Sequence, residues 1–425
     1  MMRRVEPITS LAGSVRVPGD KSASHRALML SALAPGESTI EGLSPGLDVM
    51  ATSGIMIQLG ATRRDTTATV VVTGPRGGLR ASDSPLRCGN SGTTMRLVSG
   101  IVSALAGRHR LEGDPSLSRR PMDRIAIPLR LMGARVSGEG DRVLAPLDID
   151  GSTSLRGIDF AVPTPSAQVK SAILLAGLFA HDQSVVHESL RTRTTTEDML
   201  RRAGAVVQSS DAADGRRITL SPGPLHPQAW TIPTDPSQAA FFCVLGLIHP
   251  HADIEIVDVD DAPERTGFIH VLERMCADLV QRPGTSGTTL RARSSSLRST
   301  EIHSREIPSV DEAPILTVAA AAATGVSVFR DMGELRLKES DRFAGALDLA
   351  RRLGCEAWSE GDDYFIEGLG HAQNFSRFAI NAGLDHRMVM SSAVAGTAGQ
   401  GCDIDGADTV TSSYPTFFED LAALR

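Results

Sequence analysis

Residues 57–74 read IQLGATRRDTTATVVVTG: the end of an amphipathic helix, a glycine at Gly60, then two short strands joined by a polar turn. The pattern returns at 129–147 (LRLMGARVSGEGDRVLAPL), 200–223 (LRRAGAVVQSSDAADGRRITLSPG), 272–293 (LERMCADLVQRPGTSGTTLRAR) and 350–368 (ARRLGCEAWSEGDDYFIEG). The landmark residues Gly60, Gly133, Gly204, Cys276 and Gly354 are 73, 71, 72 and 78 residues apart. Intervals of this regularity mark one supersecondary unit used repeatedly. A sixth landmark falls due just past Arg425. The helix FFEDLAALR approaches it, and VEPITSLAGSVRVPG at the other terminus supplies the missing strand pair. The chain therefore reads as six units of about 71 residues, the sixth split between the two ends.

Each unit carries an earlier helix as well, opening at Ser22, Ser91, Ser166, Ser237, Glu312 and His386. The later helices begin near Asp48, Pro121, Thr196, Pro263, Lys338 and Pro415. Ser, Asp, Thr and Pro at these points are the expected helix-start chemistry. Twelve helices alternating with strands predict an α/β fold of two three-unit halves. The split unit sets the expected layout. Residues 1–20 plus 235–425 form a terminal domain holding both ends, and residues 21–234 form an inserted domain. Two connecting strands without a long linker predict a hinge, with the functional cleft between the halves.

Composition narrows the function. The 425 residues carry 43 basic and 50 acidic side chains, a net charge of −7, which disfavours generic nucleic-acid binding and makes any anion site local. The N-terminal MMRRVEPITSLAG lacks a signal-peptide core, and the alanine-rich run 313–329 is too short and broken for a membrane span. Five cysteines without a CxxC pair argue against a disulfide framework or structural zinc and for the cytosol; they read as buried small apolar residues. Forty arginines stand against three lysines, Lys21, Lys170 and Lys338. In such a chain a lysine marks a place where a compact, proton-exchanging ammonium is required.

The unusual residues gather at helix N-termini. PGDKSASHR presents Lys21, Ser22 and Arg26; RCGNSGTTMR presents Asn90, Gly92, Thr93 and Arg96; DPSLSRRPMDR presents Arg119, Arg120 and Arg124. TPSAQVK presents Ser166, Gln168 and Lys170, and RTRTTTED presents Thr192, Arg193 and Thr195. VDEAP, ELRLKESDR and LDHRM add Asp311 and Glu312, then Lys338, Glu339 and Arg342, then Asp385, His386 and Arg387. Unpaired N–H groups already make that end of a helix positive, so cations there imply a bound anion. GDKS is not a P-loop, no GxGxxG follows a strand, and the eleven histidines show neither HExxH nor another ligand cluster, so neither nucleotide nor metal is expected. KESDR places Lys338 and Arg342 on one face of a helix. Ser237 reads as a plain cap without charged neighbours.

Together PGDKSxSHR, GNSGTTMR, GDxSLxxRPM, SAQVKSAxLLAGL, DExPxLxVAAAxAxG, ELRxKESDR and LDHRMxM resemble the 3-phosphoshikimate 1-carboxyvinyltransferase (EPSP synthase) family over essentially the whole chain. The resemblance implies the enolpyruvyl transferase fold: two pseudo-threefold domains, each of three βαβαββ units arranged as an inside-out α/β barrel. It implies transfer of the enolpyruvyl group of phosphoenolpyruvate to the 5-hydroxyl of shikimate 3-phosphate, without a cofactor, by a cytoplasmic monomer bound to neither nucleic acid nor membrane. By the same resemblance Lys21, Ser22, Arg26, Ser166, Ala167, Gln168, Arg193, Asp311 and Lys338 bind shikimate 3-phosphate. Lys21, Gly92, Arg120, Gln168, Arg342 and Arg387 bind phosphoenolpyruvate. Asp311, Glu339 and Lys21 are catalytic, Asp311 as the base for the 5-hydroxyl, with the methylene proton left between Glu339 and Lys21. Lys170 is expected to be structural.

Two segments depart from the family pattern. Thr194 and Thr195 replace an Asp-His pair, and Ser412 and Ser413 stand where some relatives carry a lysine. Gly92 is the small form of its position, which predicts sensitivity to the inhibitor glyphosate. The alternatives are enolpyruvyl transfer to a UDP-amino sugar, disfavoured because Ser22 follows Lys21, and a non-catalytic anion-binding paralogue, disfavoured by the presence of both Asp311 and Glu339. A nucleotide-dependent RNA 3′-phosphate cyclase relative has no supporting motif.

Overall fold

The computed structural model describes residues 2–67, 69–212, 215–308 and 310–425. The chain divides into two compact units, 1–20 with 233–425, and 21–232. Twelve α-helices are present among the described residues. In the 21–232 unit they are α1 (Lys21–Leu33), α2 (Leu47–Gln58), α3 (Gly92–Ser103), α4 (Asp123–Met132), α5 (Ala167–Gly177) and α6 (Thr195–Arg202). In the other unit they are α7 (Pro236–Ile248), α8 (Gly267–Arg274), α9 (Ala313–Ala322), α10 (Arg342–Leu353), α11 (His386–Ala398) and α12 (Phe417–Ala423).

One sheet shows the repeat. Leu86–Arg87 runs parallel to Gly107–Glu112, with α3 as the crossover that parallel strands require. After α4, Arg135–Glu139 and Leu144–Gly151 form a hairpin whose second strand lies antiparallel to Gly107–Glu112. The same first–second–fourth–third order recurs in the sheets led by Asp159–Val162, by Leu11–Val15 and by Glu301–His303. The 21–232 unit closes on itself: its last strand, Ala229–Thr231, pairs parallel with Gly36–Glu41 and supplies the leading strand of its first sheet.

The terminal strand pair does not stay together as expected. Arg3–Val5 joins Cys402–Asp405 and completes the split sixth unit as a three-stranded sheet. Leu11–Val15 instead leads the next sheet, parallel to Ala252–Val259. Val5, Leu11 and Val15 are all buried, so each segment takes the sheet edge that covers its apolar side chains.

Burial explains why the two helix classes differ in sequence. In α7, α9 and α11 every residue is buried, and each of these helices packs on the other two. Likewise α3 is largely buried and packs on both α1 and α5. Helices apolar all round sit in a core, whereas the later helices bury one stripe and show the other to solvent. Each unit thus has three helices inside with sheets and amphipathic helices around them, as the resemblance implied. The inner helices approach closely: a Cβ on Gly100 would lie 2.3 Å from the carbonyl oxygen of Ala172. The landmark residues are helix stops. Gly60, Gly133, Gly204 and Gly354 have φ of 111°, 109°, 94° and 103°, the left-handed turn that favours glycine after a helix. Cys276 adopts φ 66° at the equivalent point and is exposed, contrary to the buried apolar role expected for it; the other four cysteines are buried.

Candidate active site

In the 21–232 unit the N-termini of α1, α3 and α5 are tied together by side chains. Gln168 Nε2 donates to Thr93 Oγ1 at 2.9 Å, and Arg96 donates to Gln168 Oε1 at 2.7 Å, which joins α3 to α5. Arg26 joins α1 to α5 and α6: Nε donates to Thr196 Oγ1 at 2.5 Å and NH2 to Ser171 Oγ at 2.8 Å. Arg193 donates to Ser22 Oγ at 3.1 Å. Ser166 caps α5 by accepting the N–H of Val169, so Ala167 and Gln168 occupy its first turn. Lys21 opens α1 and lies 3.1 Å from Asp48 Oδ2.

Arg120, 7% exposed, donates to Asn90 Oδ1 at 2.7 Å, and Asn90 in turn donates to Asp114. Gly92 begins α3 directly against it. Beneath these groups Lys170 is fully buried, 2.9 Å from Glu188 and 2.7 Å from Glu197, and Thr192 donates to Glu188. This ion-paired core supports the structural role expected for Lys170. Thr194 donates to Asp198 at 2.6 Å, so one of the two departures from the family pattern is occupied by a local hydrogen bond.

The other unit gathers carboxylates around a buried arginine. Arg342 has no exposed surface, because Asp341 caps α10 one residue earlier and turns Arg342 inward. Its Nε and NH2 reach both oxygens of Asp385 at 2.8 and 3.2 Å, NH1 donates to Asp311 Oδ1 at 3.0 Å, and NH2 lies 2.6 Å from Glu339. Burial alone would discourage the charge, but Asp385, Glu339 and Asp311 more than offset it and hold the arginine above its ordinary pKa. Arg387 stands 3.5 Å from the second oxygen of Asp311. Asp385 caps α11 through the N–H of Arg387. His386 is hydrogen-bonded to Ser412, one of the residues at the second departure.

Two expectations fail here. Lys338 does not share a helix face with Arg342: it ends a short 3-10 turn before α10, and its Nζ pairs with Glu334 at 2.8 Å. The cause is local, since Asp341 has the better cap geometry and starts the helix later. Ser237 is not a plain cap. Asp235 caps α7, while Ser237 donates to Glu312 and accepts from Arg265. Asp48, Arg96 and Asp385, for which the sequence suggests no role, contact Lys21, Gln168 and Arg342. Arg96 in GNSGTTMR and Asp385 in LDHRM stand in the helix-start strings, and Asp48 is marked only as a helix start. Among the described residues no cluster of His, Cys, Asp or Glu suits a metal ion, and no helix is long and apolar enough to cross a membrane.

Two sets of cations and helix N-termini, one in each unit, fit anionic ligands, and the second gathers three carboxylates, Asp311, Glu339 and Asp385, on one arginine. The family model described as EPSP synthase (3-phosphoshikimate 1-carboxyvinyltransferase) matches residues 5–421. The chain belongs to that family. The curated 3-phosphoshikimate 1-carboxyvinyltransferase of Synechococcus sp. (strain RCC307) is 44% identical over 429 residues, covering 98% of this chain and 97% of the relative. That of Streptococcus equi subsp. zooepidemicus (strain MGCS10565) is 39% identical over 425 residues with the same coverage. Among solved structures, an EPSP synthase from Acinetobacter baumannii superimposes with a TM-score of 0.85 at 37% identity, covering 100% of this chain and 98% of that one. The enolpyruvyl transferase NikO from Streptomyces tendae, 18% identical with a TM-score of 0.79, shares the fold.

Proposed function

We propose that this EPSP synthase family member transfers the enolpyruvyl group of phosphoenolpyruvate to the 5-hydroxyl of shikimate 3-phosphate, releasing phosphate. The reaction joins two anions, so the first requirement is to bring like charges together in a productive geometry. Lys21, Ser22, Arg26, Ser166, Ala167, Gln168 and Arg193 are read as holding shikimate 3-phosphate, together with Lys338 and Asp311. Lys21, Gly92, Arg120, Gln168, Arg342 and Arg387 are read as holding phosphoenolpyruvate. The protein is read as a cytoplasmic monomer.

Asp311 is assigned the general-base role. As it takes the 5-hydroxyl proton, the oxygen attacks C2 of phosphoenolpyruvate while a proton is delivered to C3. Glu339 and Lys21 are the candidate donors for C3. The tetrahedral intermediate then loses phosphate as the new methyl group returns a proton, restoring the double bond. Arg342 supports this assignment: it contacts Asp311 and Glu339 together, so one rigid guanidinium sets the spacing of both catalytic carboxylates. That contact is the observation on which the mechanism leans.

Phosphate release tests the reading. Purified protein should release phosphate from phosphoenolpyruvate only when shikimate 3-phosphate is present. Release with UDP-N-acetylglucosamine instead would favour the amino-sugar acceptor, and no release with either would favour an anion-binding paralogue.

A further inference from the structure

Arg120, Arg193, Arg265 and Lys338 succeed one another at intervals of 73, 72 and 73 residues. Each stands just before the second helix of its repeat, ahead of α4, α6, α8 and α10. Three of these cations are assigned to substrate anions above. Arg265 occupies the same place in the repeat, and where Lys338 has Glu334 as its ion partner, the protein gives Arg265 more than one carboxylate. Its NH1 lies 2.5 Å from Asp20 Oδ2, and its NH2 donates to Asp235 Oδ1 at 2.8 Å and to Ser237 Oγ at 3.3 Å.

Those two aspartates lie where the chain passes between the units. Asp20 is the last residue before the 21–232 unit, and Asp235 follows the return by two residues beyond Pro233. The crossing segments are also joined backbone to backbone: Asp20 N–H donates to the Pro233 carbonyl at 2.7 Å, and Asp235 N–H donates to the Pro18 carbonyl at 2.9 Å. Ser237 extends the network by donating to Glu312, the neighbour of Asp311. One guanidinium therefore reaches the side chain of the residue immediately before Lys21 and, through Ser237, the side chain of the residue immediately after Asp311.

Stability alone does not account for this arrangement. Arg265 is 6% exposed, and the carboxyl groups of Asp20, Asp235, Glu312 and Asp260 all act on it. Several buried acids sharing one cation cost more to desolvate than a hydrophobic plug of similar size.

We infer that Arg265 is a positioning residue for the transfer reaction, a built-in copy of the repeat's anion-binding arginine that clamps both crossing segments and so sets the backbone carrying Lys21 and Asp311. The inference rests on the proposed function and deepens it. In the 21–232 unit Arg26 and Arg193, assigned to shikimate 3-phosphate, are held by Thr196, Ser171 and Ser22, and of the residues assigned to that substrate there only Lys21 directly follows Asp20, so turnover should fall further than binding. A lysine retains the charge but lacks the two-pronged geometry that spans Asp20 and Asp235.

The test compares full-length protein with Arg265→Lys. Three quantities are measured: kcat with both substrates, shikimate 3-phosphate affinity by calorimetry without phosphoenolpyruvate, and the thermal midpoint. The expected result is kcat lower by about tenfold or more, with affinity retained within about threefold, at a temperature well below unfolding. A kcat within about twofold of the unsubstituted protein overturns the inference, and so does loss of affinity by the same factor as kcat. If Arg265→Lys does not fold, Asp20→Asn leaves the Asp235 arm intact and should still lower kcat about threefold to tenfold with affinity retained; unchanged kcat there overturns it equally. Absence of phosphate release by the unsubstituted protein would refute the proposed function instead.

Discussion

A methyl group built on Gly92 would stand 3.2 Å from a guanidinium nitrogen of Arg120 and 2.8 Å from one of Arg96. The obstacles are the far ends of flexible side chains, not backbone, so an alanine would displace two cations rather than unfold the helix. Arg120 is assigned to phosphoenolpyruvate, and glyphosate is expected to fill the space that Gly92 leaves open. Gly92→Ala should raise the glyphosate inhibition constant by about tenfold or more and KM for phosphoenolpyruvate by less, about twofold to fivefold. Steady-state kinetics decide the matter, and equal increases would count against the steric explanation.

Asp311→Asn preserves size and an oxygen that can still accept from Arg342, but removes the base. The variant should fold and, because the amide keeps an acceptor oxygen, lose only about twofold to fivefold in shikimate 3-phosphate affinity while kcat falls by about 10²–10⁴. If it kept about a tenth of the activity, another group would have to take the 5-hydroxyl proton.

Legibility in the sequence followed backbone chemistry. The repeat could be counted because Gly60, Gly133, Gly204 and Gly354 each meet a left-handed helix stop, a demand that one residue type serves best. The inner helices could be told from the outer ones by their continuous apolar character. Helix-start strings likewise located Ser22, Ser166, Gln168 and Arg120. What could not be read was pairing across the fold. Nothing local to Asp48 announces Lys21 as its partner, and nothing local to Asp385 announces Arg342, 43 positions away. Lys338 was misplaced because its spacing from Arg342 suits one helix, while the cap at Asp341 starts that helix later. The terminal strand pair was misassigned because each strand is plausible alone, and only burial chooses its sheet.

Arg342 is the cation shared by Asp311, Glu339 and Asp385. Arg342→Met should therefore cost about 3–5 kcal/mol in urea unfolding, because it leaves the buried Asp385 uncompensated. Adding Asp385→Asn should recover part of that loss. A cost below about 1 kcal/mol would mean that the cluster relaxes into solvent without it.

Cys276 adopts the left-handed conformation at an exposed helix stop where four equivalent repeats use glycine. A non-glycine residue there costs about 1–2 kcal/mol, offset in part by the greater freedom of glycine in the unfolded chain. Cys276→Gly should raise stability by about 0.5–1 kcal/mol with no change in kcat. A lower thermal midpoint would show that the thiol makes a compensating contact.

Asp260 gives the pH dependence of the acidic network a definite sign. Burial, reinforced by the charge of Asp20, raises its pKa from the ordinary 3.8 to about 6, against the pull of Arg265 and of the Ala262 N–H donating to Oδ1; Asp235 adds to the rise. The folded protein thus holds this proton more tightly than the unfolded chain. The stabilisation from Asp260 is fully present below pH 4, falls as pH climbs toward 6, and is lost above it. At about 1.4 kcal/mol per pK unit, reduced because the side chain is half-buried, the loss is about 1–3 kcal/mol. Asp260→Asn keeps an acceptor for Ala262 and cannot ionise. Urea unfolding should find it more stable than the unsubstituted protein by that amount at pH 8, and no different at pH 4. A gain of equal size at both pH values would assign the effect to packing, and no gain at pH 8 would show that Arg265 already neutralises the whole network.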